Sequence, residues 1–227
     1  MTLDPRCLIL ETSGRIGQVA LAEGARLRGV RRLDEARRHA RDLVPAVRDL
    51  LTQAGWTARA LNAVIVSRGP GSYTGLRVGI MSAKAFAYAT GCTLLAIDTF
   101  TAIAYQAPAE VQHVDVLADA QQNRVFVQRF ARSGDSMPSI APLTIRPFAE
   151  WLAGLSHDMG VSGPGIRGHE ESLPGRKLVP AELWDPRPES LLALGLARLQ
   201  RGEADDLWSV EPLYLRPSAA EEQWKGK

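Results

Sequence analysis

Three short segments with strand character open the chain, and the turns between them are too short for any pairing but antiparallel. They are residues 6–11 (RCLILE), 16–22 (IGQVALA) and 25–33 (ARLRGVRRL), separated by TSGR and EG. Parallel neighbours would need a crossover of a dozen or more residues, which these turns cannot supply. The period then changes. Residues 37–54 carry Ala40, Leu43, Val44, Val47, Leu50, Leu51 and Ala54 at three-and-four spacing, which predicts a helix. Pro45 would break the middle of that helix. With Asp42 as N-cap it falls in the first turn, where its missing N–H has no partner to lose. Gly55 supplies the C-terminal stop.

A continuous apolar strand follows at 62–67 (NAVIVS), then the loop RGPGSYTG, a helix to Thr90, a strand at 93–97 and a short helix at 99–106. The order βββαβαβα, three antiparallel strands extended by parallel strands through helical crossovers, is the α/β layout called ribonuclease H-like or actin-like (ASKHA). Composition shifts at 106–111 (QAPAEV). Beyond it, strands at 112–118 and 123–131 form a hairpin, followed by a strand near 140–145, helix 147–155, a strand near 159–162, the segment SGPGIRG, strand 176–180 and helix 188–202. This suggests a second, trimmed copy of the same unit. The expected organisation is two subdomains, each a mixed sheet flanked by helices. They are 1–105, to which 207–217 returns, and a smaller 106–205, followed by a frayed tail at 218–227.

Composition excludes several classes. At 227 residues, 45% hydrophobic and 23% charged, the chain has enough apolar material for one large or two small cores. No apolar run approaches a membrane span and the N-terminus is too short in apolar residues for a signal peptide, so a cytoplasmic protein without a membrane partner is expected. The two cysteines, Cys7 and Cys92, lack any CxxC spacing. The histidines His39, His113, His157 and His169 are scattered singly, so no helical pair offers itself to a metal. His113, Asp115 and Asp119 share a strand face by alternation, which a solvated face explains as well as a metal does. Glu11 stands where one acid of a two-metal nuclease would be, but the matching end of strand 62–67 carries Ser67 and Arg68. No catalytic residue and no metal ligand is expected.

Nucleotide or anion binding has more support. In actin-like folds two turns clasp the phosphates. Glu11, Thr12 and Ser13, with Gly14, match the first turn in shape, while the second, Asp119-Ala120-Gln121-Gln122, has no glycine to let a phosphate approach. Ser162-Gly163-Pro164-Gly165 is at best a worn adenosine loop. Half a clasp implies no tightly bound cofactor, with ATP or ADP held weakly or at a partner interface. The loop holding Gly69, Gly71 and Ser72 lies between strand and helix, where backbone N–H groups can hold an anion. The plain reading is a tight turn capped by Ser72 or Thr74.

In the helix after this loop, Gly75, Gly79, Ala83 and Ala87 fall at every fourth position and form one smooth stripe. A helix apolar nearly all round packs on its sheet and on something else. That second surface is either helix 42–54 of the same chain or a helix of another subunit. Upstream, Arg26, Arg28, Arg31, Arg32, Arg37, Arg38 and Arg41 enclose only Asp34 and Glu35. Arginines on an edge strand deter sheet-to-sheet aggregation, and contact with a phosphate backbone is the alternative.

Four stretches together resemble the bacterial TsaB (YeaZ) family: LILETSGRIGQVAL (8–21), RHARDLVPAVRDLLTQAG (38–55), VIVSRGPGSYTGLRVGIMSAKAFAYATG (64–91) and PLYLRP (212–217). The third is the most specific. Gln121 and Gln122 depart from the family's hairpin, which carries arginines there. The resemblance implies an accessory, non-catalytic subunit. It would bind and organise the catalytic paralogue TsaD, with the ATPase TsaE joining, in forming N6-threonylcarbamoyladenosine beside the anticodon of tRNAs that read codons starting with A. It also implies that the second surface of the striped helix is another subunit, TsaD or a second copy. Leu43, Val47, Leu50, Gly75, Gly79, Ala83 and Ala87 then become the partner interface, and tRNA is met through the complex. The competing reading is an independent actin-like enzyme, a kinase or a peptidase, for which no nucleophile–base pair is found.

Overall fold

The computed structural model describes residues 4–33 and 39–215. Two five-stranded sheets form the frame. The first has the order β3-β2-β1-β4-β5, from β1 (Arg6–Glu11), β2 (Gln18–Glu23), β3 (Arg26–Arg32), β4 (Ala63–Gly69) and β5 (Thr93–Asp98). The short turns at 12–17 and 24–25 make β1–β2 and β2–β3 antiparallel, while the two helical crossovers make β1–β4 and β4–β5 parallel. The second sheet contains β6 (His113–Asp119), β7 (Arg124–Ala131), β8 (Thr144–Pro147), β9 (Gly160–Ser162) and β10 (Lys177–Leu178). Its order, β8-β7-β6-β9-β10, repeats the plan of the first: two antiparallel pairs on one side of the central strand and two parallel pairs on the other.

Helices fill the remaining layers. Helices α1 (His39–Ala54) and α2 (Tyr73–Thr90) cover the outer face of the first sheet, where Leu43, Val47, Leu50, Ile80, Ala83 and Ala87 join Leu8, Leu10, Val64 and Val66 in one buried cluster. Helix α3 (Thr99–Tyr105) places Phe100, Ile103 and Ala104 against Val114, Val116 and Phe130 of the second sheet. Helix α4 (Phe148–Ala153) covers the opposite face of the second sheet through Phe148 and Trp151.

The last helix, α5 (Pro188–Gln200), corrects the subdomain assignment. It was expected within 106–205, yet Leu191, Leu192 and Leu196 pack on Cys7, Ile9, Ala20, Ala22, Ala63 and Ile65 of the first sheet. The physical reason is steric. The inner face of that sheet is lined by small residues, and Gly195 lets α5 approach so closely that a Cβ there would lie 2.5 Å from the Ile65 Cδ1. The composition shift near residue 106 marks the first passage between sheets and not the return. After α5, Asp205 N–H donates to the Leu94 carbonyl (2.9 Å) and Leu213 N–H to the Arg68 carbonyl (2.7 Å), so this segment also lies on the first sheet. Arg216, Pro217 and the 218–227 tail lie outside the described residues.

Helix α1 differs from its expected start. It is already helical at His39, so Asp42 is not its N-cap and Pro45 sits inside the helix. Pro45 is exposed, so water can take the carbonyl left without its i→i−4 donor. No helix among the described residues is long and apolar enough to cross a membrane.

Candidate functional site

The parallel pairing of β1 and β4 sets Leu10 opposite Val66, so the ends of both strands, Glu11 and Ser67, emerge side by side. Of the six residues of the predicted nucleotide or anion site, Glu11, Thr12, Ser13, Gly71 and Ser72 meet here and pack among themselves and on Ser67. Gly69 packs on Leu76 and Leu213 and donates to the Thr99 hydroxyl. Glu11 is 1% exposed, and its Oε1 accepts from the Ser13 N–H (2.6 Å), the Ser13 hydroxyl (2.5 Å) and the Gly14 N–H (3.2 Å). Burial pushes the Glu11 carboxyl above its ordinary value, against the lowering effect of these donors. Thr12 is buried, and its N–H faces the Ser67 Oγ at 3.4 Å.

The 69–75 loop closes the turn from the other side. Ser72 N–H donates to the Ser13 carbonyl (2.8 Å), and Gly71 lies so close that a Cβ there would be 2.5 Å from that same oxygen. Ser72 is the N-cap of α2, its Oγ accepting from the Gly75 N–H (3.2 Å). The donors that would greet a phosphate are thus turned onto the Glu11 carboxylate. The space is filled by the loop, and the ATP that an actin-like fold implies does not fit at this turn.

The second sheet repeats the device without the acid. Gly163, at φ +104°, matches Gly69, at φ +114°, and each is followed by Pro-Gly. A Cβ on Gly165 would lie 2.9 Å from the Ala118 backbone, as one on Gly71 would crowd Ser13. The equivalent of the Glu11–Ser67 pair is Val116 opposite Ser162, and the buried Ser162 Oγ has no hydrogen-bond partner. The repeated Gly-Pro-Gly signal, at 69–71 and 163–165, was readable in the sequence as evidence of duplication. Across the β6–β7 hairpin, Gln121, Gln122 and Asn123 all adopt left-handed backbone (φ 63°, 53° and 57°), a costly conformation for side-chain-bearing residues. Asp115 is no open ligand: it is buried, held by Arg129 (2.7 and 2.9 Å) and by the Trp151 Nε1–H (3.0 Å). Among the described residues, no three of His, Cys, Asp and Glu converge in a way that could hold a metal ion.

The predicted partner interface needs correction. Gly75, Gly79, Ala83 and Ala87 are buried within the chain, as are Leu43, Val47 and Leu50. The stripe is smooth because Thr12 presses on it. A Cβ at Gly75 would collide with the Thr12 carbonyl and one at Gly79 with the Thr12 Oγ1. These residues are core, and a second chain cannot touch them. The outward side of the same two helices carries a different set, which the small-residue stripe obscured: Val44, Met81 and Tyr88, the last 73% exposed. Trp208, 74% exposed, meets Tyr88 edge-on with ring centroids 6.0 Å apart. Lys84 Nζ fixes that segment to α2 by donating to the Trp208 and Val210 carbonyls (3.2 and 3.0 Å). At the other end of α2, Tyr73 stacks on Tyr214 (4.8 Å) and Arg77 donates to the Tyr214 hydroxyl (2.9 Å).

Two sheets of one repeated plan, with helices outside and between them, define an actin-like protein whose first phosphate turn is closed by its own acid. The family profile TsaD, tRNA N6-adenosine threonylcarbamoyltransferase, matches residues 18–167. The chain is similar to the tRNA threonylcarbamoyladenosine biosynthesis protein TsaB of Bacillus subtilis, at 28% identity over 82% of this chain and 83% of that one. It is 27% identical to TsaB of Escherichia coli, over 84% and 86% of the two chains. Among solved structures, YeaZ from Pseudomonas aeruginosa superimposes with a TM-score of 0.79 at 29% identity, covering 93% of this chain and all of that one. The chain belongs to the TsaD family, in its TsaB (YeaZ) branch.

Proposed function

We propose that the chain works in tRNA threonylcarbamoyladenosine biosynthesis as an accessory subunit that performs no chemistry itself and binds and organises the catalytic paralogue TsaD in the cytoplasm. The pathway is that of the similar TsaB proteins. The observation that carries the accessory role is the outward face of α1 and α2, where Val44, Met81, Tyr88 and the adjoining Trp208 hold large apolar side chains in solvent. Exposed apolar groups gathered on one side of a protein mark an interaction surface, and aromatics and methionine are the types enriched at such surfaces. Glu11 closing the first turn supports the division of labour: a nucleotide is taken by TsaD, by the ATPase TsaE, or across the interface. tRNA is met through the assembly, and a homodimer through the same face competes with TsaD.

The test mixes purified chain with TsaD from the same organism. The expected result is co-migration on gel filtration, threonylcarbamoyl transfer to tRNA only when both are present with their ATPase and donor-forming partners, and loss of both by Tyr88→Arg. Transfer by TsaD at full rate without this chain would refute the reading, and so would turnover by this chain alone.

A further inference from the structure

The edge of the first sheet carries a positively charged groove that neither the closed turn nor the apolar face uses. Strand β3 has β2 on one side only, and its residues alternate imperfectly because of a bulge. Leu21 opposes Gly29 while Ala22 opposes Leu27, leaving Arg28 as the extra residue. The bulge resets the side-chain alternation, so Arg26, Arg28 and Gly29 all line the same groove, together with Leu50, Gln53 and Ala54 of α1. Gly29 lets Leu50 pack close to the strand, since a Cβ there would lie 2.9 Å from the Leu50 Cδ2. The groove holds about 230 Å³, room for a phosphate group and its hydration.

Its charge is arranged for an anion. Arg26 is exposed and has no ion-pair partner among the described residues. Arg28 is tied only loosely, 3.9 Å from Glu23, which also serves Arg6 at 3.3 Å. Arg31 does not line the groove but donates to Gln53, which does (2.9 Å), and so orients that amide. Among the described residues, Glu23 and Asp4 are the acids on this edge, against Arg6, Arg26, Arg28 and Arg31. Asp34, Glu35, Arg37 and Arg38 of the same run lie outside the described residues.

We infer that this groove binds a backbone phosphate of RNA, so that the chain itself touches the tRNA. The inference rests on the tRNA-modification reading for the identity of the anion, and on charge complementarity for the contact. Arginine forks suit phosphate oxygens, and such contacts position a nucleic acid without reading its sequence. An added protein strand is the poorer occupant, since charged side chains on an edge strand oppose it.

The experiment measures polarisation of a labelled, unmodified tRNA transcript with the full chain, alone and with TsaD, across a salt series. For the pair Arg26→Ala and Arg28→Ala, Kd is expected to rise about tenfold. The slope of log affinity against log salt should fall by about 0.9, the contribution of one neutralised phosphate. The pair Arg26→Lys and Arg28→Lys keeps most of the affinity, and Arg146→Ala on the second sheet changes nothing. If the alanine pair unfolds, Arg26→Gln alone replaces it and must weaken binding at least threefold. Equal Kd and slope for wild type and alanine pair, or no RNA binding in either setting, overturns the inference. So does an equal loss of affinity for phosphatidylglycerol vesicles, which would make the groove a general anion site. Binding needs no turnover, so the two readings fail separately. Wild type that supports transfer with an inert groove removes only this inference. RNA binding lost in the alanine pair, with no transfer by wild type, removes only the accessory role.

Discussion

Thr12 and Gly79 share a space that holds only one of their side chains. The Thr12 Oγ1, buried and without a hydrogen-bond partner, lies where a Gly79 Cβ would be. This contact brings α2 down onto the β1 turn, and it explains the spacing of small residues along the helix better than a seam with another chain does.

Gly79→Ala therefore sets two effects against each other. Helix propensity favours alanine by about 1 kcal/mol, while forcing a methyl onto a fixed strand end costs about 1–3 kcal/mol. Overpacking outweighs the propensity gain, and a denaturant titration should show a net loss of up to about 2 kcal/mol. In a Thr12→Ala background the nearest remaining atom is the residue 12 Cβ, at 3.3 Å. There the same change should be neutral or stabilising. A cycle in which the two changes simply add would disprove the shared space.

Ala83→Arg and Tyr88→Arg lie on one helix but should behave oppositely. Ala83 is 0% exposed, so an arginine there brings an unpaired charge into the core and should cost about 3–5 kcal/mol, seen as unfolding or a large fall in Tm. Tyr88 points to solvent, so its variant should keep the wild-type Tm within about 2 °C, the scale of a surface change in a domain of this size. Only the second tests association.

Glu11 predicts a pH dependence. Its folded value is raised by burial above the unfolded 4.5, so between those values the folded state holds a proton that the unfolded state has released. Stability from this group is complete below pH 4.5 and is lost as pH rises through the folded value. Glu11→Gln keeps the Oε1 acceptor and removes the titration. The variant should gain on wild type as pH rises from 4.5 to 8 in chemical denaturation, and a gap that stays constant with pH would rule out a buried, titrating Glu11.

Arg198 pins the returning segment. Its guanidinium donates to the Ala96 carbonyl (2.9 Å), to both oxygens of Asp205 (2.9 and 3.0 Å) and to Glu203 (2.8 Å), while Asp205 Oδ2 accepts from the Ala96 N–H (2.7 Å). Burial alone would raise the Asp205 carboxyl, but Arg198 and the Ala96 N–H outweigh it and hold it below 3.8. Arg198→Ala should cost about 2–3 kcal/mol at neutral pH and raise amide exchange at 203–210. Asp205 contributes its stability above pH 3.8 and loses it in more acid solution, so the gap to wild type should narrow there.

Local pattern made most of this fold legible. The turns at 12–15 and 23–24 dictated antiparallel pairing, and the crossover helices dictated the parallel strands. The Glu11 turn and the 69–75 loop meet because parallel strands end on the same side. Their closure on each other was not readable, since it depends on which way one carboxylate turns. The small-residue stripe was misread for a related reason: periodicity shows that a helix face is smooth but not what lies against it. Thr12, some sixty residues away in sequence, decided that. Helix α5 gave no local sign that its leucines belonged to the first sheet and not the second.

The return of α5 has a consequence for the order in which the protein comes off the ribosome. Cys7, Ile9 and Ile65 are made first, yet their cover, Leu191 and Leu196, follows only after all of the second sheet. Until α5 has been made, the nascent chain shows one side of its first sheet bare. A product cut short before α5 would be recognisable to a chaperone or protease by the uncovered sheet.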